Sequence, residues 1–184
     1  MYTLNTSIQS KHKVKGSLFL GFLMPSARFE NTLAQIQQEH HKARHILYAY
    51  RRVQKGQVQE ALHEGKEPKN SARALLDILR HEDLCQSAVI VVRYFGGVLL
   101  GVGGLMKAYA TSVQLCIQEM HATNALEVFE EPLLRFVPYA KLDTLSARAK
   151  KCGVVLEKQG LELEGVWVRL KGAQALNILG EVCG

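Results

Sequence analysis

Between Arg93 and Tyr109 the chain reads Arg-Tyr-Phe-Gly-Gly-Val-Leu-Leu-Gly-Val-Gly-Gly-Leu-Met-Lys-Ala-Tyr, and five of its 15 glycines (Gly96, Gly97, Gly101, Gly103, Gly104) fall inside it. Glycine admits positive φ and lets another molecule approach the backbone. Residues 88–92 ahead of it form a short apolar, β-branched run that reads as a buried strand, and Leu105, Tyr109, Val113, Cys116 and Met120 behind it share one helical stripe. The glycines are therefore expected on a strand-to-helix connection. Unpaired N–H groups at the helix start would cradle an anion there, with Arg93 and Lys107 supplying charge. Packing explains the glycines equally well, as a tight turn with close helix-on-sheet contact and Tyr94, Phe95 and Tyr109 in the core. The segment is no standard nucleotide fingerprint: it lacks the Gly-Lys-Ser/Thr ending of a P-loop and the third glycine of the dinucleotide motif.

A second constellation is Arg44, Arg51, Arg52 and Lys55 around Tyr48 and Tyr50, a mixture that could hold phosphates and stack bases. Strand alternation puts both tyrosines on one face and Arg51 on the other, so the tyrosines are expected in the core and only the charges at the surface. His40, His41 and His45 invite a metal reading, but no acidic or cysteine third ligand lies near them, and no metal is expected. A hydrogen-bonded, half-buried role suits His45 better. No nucleophile elbow is present, Cys116 sits on the apolar stripe, and Glu60, Glu64 and Glu67 could act as acid or base only if folding gathered them. The chain reads as a binding protein more than an enzyme, and no cofactor is expected.

These residues sit in a chain of 184 residues with 23 Lys+Arg against 17 Asp+Glu, a net charge of +6. The whole excess lies in residues 1–126, with 15 basic against 9 acidic side chains, whereas 127–184 balance at 8 and 8. A basic surface attracts polyanions, so nucleic acid is the first partner to consider. Four widely spaced cysteines with no Cys-x-x-Cys pair read as reduced thiols of a cytoplasmic protein. Lys11, Lys13 and Lys15 ahead of the apolar residues 18–24 only weakly imitate an export signal. No segment has the apolar length of a membrane span, and no membrane partner is expected.

The elements expected to position the candidates fall into two domains, 1–126 and 131–184. The first begins with a strand at 18–24, then a helix capped by Ser26 that carries Phe29, Leu33 and Ile36. A hairpin follows, with strands at 46–53 and 57–62 turning at Lys55-Gly56. A loop with Gly65 and Pro68 leads to a helix opened by Asn70 or Ser71, and then come the 88–92 strand, the glycine segment and a helix to about Met120. The second domain reads as strand, helix, strand, strand, helix, with Gly153 ending its first helix. That is a split βαβ unit without its usual fourth strand.

The glycine segment, written Tyr-Phe-Gly-Gly-x-x-Leu-Gly-x-Gly-Gly-Leu-x-Lys-Ala-Tyr, closely resembles the signature of the IMPACT/YigZ family. Supporting matches are Lys15-Gly-Ser17, Ala43-Arg-His45, Ala49-Tyr-Arg51, Glu67-Pro68 and Ser71-Ala72. The resemblance implies an α+β fold. Its N-terminal domain would be similar to domain IV of elongation factor G, a ribosomal-protein-like two-layer sandwich. Its ferredoxin-like C-terminal domain, here truncated, would be similar to domain V. The chain departs from the family over residues 63–74, where Asn70 and Arg73 replace glycines, Leu75 stands for a proline, and Lys66, Lys69 and Arg73 add positive charge. For function, the resemblance implies a role near translation.

The favoured reading is a nucleic-acid-binding regulator of translation, with RNA or the ribosome as partner. Arg93, Gly96, Gly97, Gly101, Gly103, Gly104 and Lys107 would contact phosphate, and Arg44, His45, Arg51 and Arg52 would extend the track. The alternatives are an enzyme or binder of a small phosphate-bearing ligand at the same loop, and a protein-interaction module of the translation machinery.

Overall fold

A computed structural model describes residues 1–43, 45–54 and 57–183. The chain divides into two compact units, Met1–Phe129 and Glu130–Gly184. The first is organised by a five-stranded antiparallel sheet with strand order β2-β3-β6-β4-β5, formed by β2 (Ile8–Val14), β3 (Ser17–Pro25), β4 (His45–Gln54), β5 (Gln57–His63) and β6 (Ser87–Tyr94). The expected turn at Lys55-Gly56 lies outside the described residues.

Residues 87–93 of β6 are all buried, because β6 is the central strand and both of its faces are covered. Val89 and Val91 join Phe19, Leu23, Leu47 and Ala49 in a core under α2 (Ser71–His81) and α3 (Gly101–Ala122). Ala88, Ile90 and Val92 join Met24 in a second core under α1 (Phe29–Glu39), which contributes Phe29 and Ile36. Each fully buried aliphatic side chain of this strand contributes about 1.5–3 kcal/mol. Two cores on one sheet give three layers, so the expected two-layer sandwich is corrected: β6 is apolar on both sides, and its second face needs a helix of its own.

Three strands that the apolar pattern conceals complete this unit. β2 pairs with β3 across a two-residue turn in which Lys15 (φ 45) and Gly16 (φ 79) both take the left-handed conformation that such hairpins favour. β1 (Tyr2–Leu4) pairs with β7 (Leu126–Val128), so residues 126–128 belong to the first unit.

The second unit has a three-stranded antiparallel sheet of order β8-β10-β9, from β8 (Leu133–Pro138), β9 (Val155–Leu161) and β10 (Gly165–Lys171). With α4 (Tyr139–Lys151) and α5 (Ala175–Cys183) this is the split βαβ order, and Gly153 (φ 68) follows the end of α4. Val137, Val166, Val168 and Leu170 pack against both helices, while Phe136 and Trp167 pair across the opposite face with ring centroids 5.8 Å apart. No described helix is long and apolar enough to cross a membrane.

Candidate functional site

The end of β6 gathers residues from four separate stretches of the first unit. Register places Arg93 opposite Phe19 on one side and His45 on the other, so all three share the sheet face that carries α3. Arg93 Nη1 donates to Glu67 Oε1 at 2.6 Å, and Tyr109 Oη donates to the same oxygen at 2.8 Å. His45 Nδ1 lies 2.9 Å from it. Glu67 comes from the loop before α2 and Tyr109 from the third turn of α3, so one carboxylate ties loop, helix and sheet together. The Arg93 and Glu67 side chains are only 7% and 2% exposed. Burial, reinforced by the Glu67 charge, pushes the Tyr109 phenol far above its usual range, so it stays protonated and donates. Tyr109 also meets Phe19 edge-on at 5.1 Å.

The loop that supplies Glu67 is the segment that departs from the family resemblance. Asn70, standing where the family has glycine, adopts φ 71, a left-handed conformation that asparagine tolerates better than most residues. Ser71 Oγ then donates to the Pro68 carbonyl at 2.8 Å, at the start of α2.

The glycines play three different parts. Gly96 is pressed against the β2–β3 turn: an added Cβ would overlap the Gly16 backbone, and its amide donates to Ser17 Oγ at 3.1 Å. Gly97 (φ 85) turns the chain in open space. Gly101, Gly103 and Gly104 are exposed in the first turn of α3, which therefore begins before Leu105, and no side chain caps that turn. Of the flanking cations, Lys107 is exposed and Arg93 is turned inward to Glu67.

The other predicted cations do not join this cluster. Arg51 Nε donates to Glu60 Oε1 at 2.9 Å and its Nη1 to the Leu84 carbonyl at 2.9 Å, fastening β4 to the chain after α2. Arg52 Nη2 donates to Glu30 Oε1 at 2.6 Å, and its guanidinium lies 4.4 Å from the centre of the Tyr50 ring. Arg44 lies outside the described residues. Tyr48 and Tyr50 pack against Phe29 in the core under α1, as strand alternation requires. Of the three glutamates, Glu67 enters the cluster, and Glu60 pairs instead with Arg51 and Arg80, whose hydrogen bond holds the Glu60 carboxyl below its usual range. The predicted histidines separate: His45 faces Glu67, His40 Nδ1 is 2.8 Å from Tyr94 Oη, and His41 Nδ1 is 3.2 Å from the Gln38 carbonyl.

A basic face lies beside the cluster. Along edge strand β2, Gln9, Lys11 and Lys13 are exposed while Ser10, His12 and Val14 are half-buried. Lys13 is opposite Leu18 and Leu18 opposite Tyr94, so lysine and tyrosine share a row across three strands. Where that row meets the end of β6, a cleft of about 410 Å³ opens between Lys42, His45, Arg93, Tyr94 and Phe95. Sequence reasoning finds Arg93 and His45 but misses Lys42, Tyr94 and Phe95 as cleft residues, and it misses the lysine row of β2. The sequence signal of that row is the alternation of 8–14, a strand period carried by lysines in place of apolar residues.

The family described as the Impact N-terminal domain matches residues 15–117. The chain belongs to the IMPACT family. An IMPACT family member of Haemophilus influenzae is 32% identical over 130 residues, 66% of this chain and 62% of the relative. The IMPACT family member YigZ of Escherichia coli is 30% identical over 145 residues, 76% of this chain and 70% of that protein. The match thus spans less than two thirds of the Haemophilus relative's length. A crystal structure of a hypothetical protein aligns over 99% of this chain and 90% of its own at a TM-score of 0.71 and 21% identity, a likeness of fold. The IMPACT match includes Glu67, Arg93 and Tyr109, so the buried cluster lies wholly inside the shared domain.

Proposed function

We propose that the first unit binds RNA through its basic face and that the protein acts in the control of translation. The observation that carries the RNA reading is the row formed by Lys13, Leu18 and Tyr94, continued by Lys11 on β2 and by Lys42 and Phe95 at the cleft. Cations spaced along a face can follow a phosphate backbone, and exposed aromatic rings offer surfaces on which unpaired bases stack. Single-stranded RNA suits this arrangement better than duplex DNA, because the row presents no helix shaped for a major groove. The translational role and the analogy with domains IV and V of elongation factor G rest on the family resemblance. Fold likeness alone does not carry function.

The test is binding of a fluorescent single-stranded RNA as a function of salt. With three lysines on phosphates, log affinity should fall against log salt with a slope of about −2, at roughly −0.7 per contact. A Lys11→Glu, Lys13→Glu double variant should weaken binding and flatten that slope. A flat wild-type slope, or no effect of the double variant, rejects the reading.

One observation favours a protein contact as a second reading: Val98, Leu99 and Val102 are exposed together around the glycine turn, Leu99 by 83%. Partners retained by a pull-down after nuclease treatment, and lost in Leu99→Asp, would support it.

A further inference from the structure

The cleft at the end of β6 has the walls of a ligand site. Its volume of about 410 Å³ falls in the range of small-molecule pockets, roughly 300–1,000 Å³. Lys42, His45, Arg93, Tyr94 and Phe95 line it, and none of these is a carboxylate. Glu67, 2% exposed, sits behind the wall and holds Arg93 from the rear. The Arg93 side chain is 7% exposed, with Nη1 engaged by Glu67. Lys42 is exposed at the mouth. Phe95 leaves about half of its surface open at 51%, with the Arg93 guanidinium 5.6 Å from the ring centre.

We propose that this cleft binds one phosphorylated nucleoside, its phosphate drawn to Lys42 beside Arg93 and its base lying on the open face of Phe95. A bare phosphate would leave the aromatic face unused, and an apolar ligand would leave the charge of Lys42 unused. A planar base and a phosphate carried on one ribose use both. The proposal rests on the RNA reading for its ligand class and narrows it to a single nucleotide, either free or at the 5′ end of an RNA. The buried carboxylate positions the wall: with Arg93, His45 and Tyr109 all on Glu67 Oε1, the donors are fixed before any ligand arrives.

The experiment is calorimetric titration of the full chain with AMP, adenosine and inorganic phosphate, followed by competition with one RNA hexamer bearing either a 5′-phosphate or a 5′-hydroxyl. AMP should bind with a stoichiometry of one, and adenosine and phosphate each about tenfold more weakly or worse. Phe95→Ala and Lys42→Ala, both at exposed positions, should each weaken AMP about tenfold with the melting temperature unchanged. Preference for the 5′-phosphorylated hexamer assigns the cleft to a chain end, and displacement of AMP by neither hexamer assigns it to the free nucleotide. No saturable AMP binding, or AMP binding indifferent to both substitutions, overturns the proposal. The two failures are distinct. Salt-dependent RNA binding through Lys11 and Lys13 without AMP binding removes the cleft proposal alone, and AMP binding without any RNA affinity removes the RNA reading and leaves a nucleotide site.

Discussion

Arg93 and Glu67 are joined by a 2.6 Å hydrogen bond between two side chains that are both more than nine-tenths buried. The pair sits where β6 ends and the glycine turn begins. Because Tyr109 shares the same carboxylate oxygen, a change in any member is transmitted to the loop before α2, to α3 and to the wall of the cleft.

Removing Glu67 would strand a guanidinium in the interior. Glu67→Ala is expected to cost about 3–5 kcal/mol, the usual penalty for breaking a buried pair from one side. Glu67→Gln keeps an oxygen that can accept from Tyr109 and should cost less. Urea unfolding at neutral pH measures both, and a loss under about 1 kcal/mol for the alanine variant would show that the pair is solvated.

The glycines should respond oppositely to the same substitution. Gly96→Ala places a methyl group into the Gly16 backbone, so it should destabilise the protein by displacing the β2–β3 turn from β6. Gly103→Ala meets nothing within 4 Å, and that glycine does not adopt positive φ. It should raise stability by about 0.5–1 kcal/mol through helix propensity. Thermal unfolding of the two variants decides the matter, and destabilisation by Gly103→Ala would show that the first turn of α3 is not helical.

Glu60 predicts an acid limb in the stability profile. Its carboxyl is held below the usual range by the Arg80 hydrogen bond, aided by the charges of Arg80 and Arg51. A depressed folded-state pKa stabilises the protein above the unfolded value of about 4.3, and this contribution is lost as pH falls through the folded value. Wild type and Glu60→Gln should therefore differ in urea midpoint at pH 7 and converge below about pH 3. A gap that persists unchanged in acid would place the effect of Glu60 in packing and not in charge.

Local pattern exposed much of this architecture. The apolar run of β6, the amphipathic stripe from Leu105 to Met120, and Gly153 after α4 could each be read because period and backbone conformation are properties of short segments. β2 was hidden, since an edge strand with one wet face can carry lysine at alternate positions and lacks the apolar run that announces β3. The site divides along the same line. Arg93 and the glycines stood out as types and spacing, but nothing short of the fold shows that Glu67, 26 residues before Arg93, will occupy the same pocket of charge. Tyr109 could be placed on the buried stripe, yet its partner could not. Arg51 and Arg52 counted toward surface charge in the sequence, whereas in the fold the neighbouring carboxylates Glu60 and Glu30 engage them.

The lysines of β2 carry a consequence for the protein in crowded surroundings. An outermost strand leaves half of its backbone groups unpaired and invites a strand from another molecule to extend the sheet. Lys11 and Lys13 place like charges at alternate positions along that border, so two copies approaching edge to edge repel each other. Neutralising them would expose the border to intermolecular pairing and favour fibrillar growth.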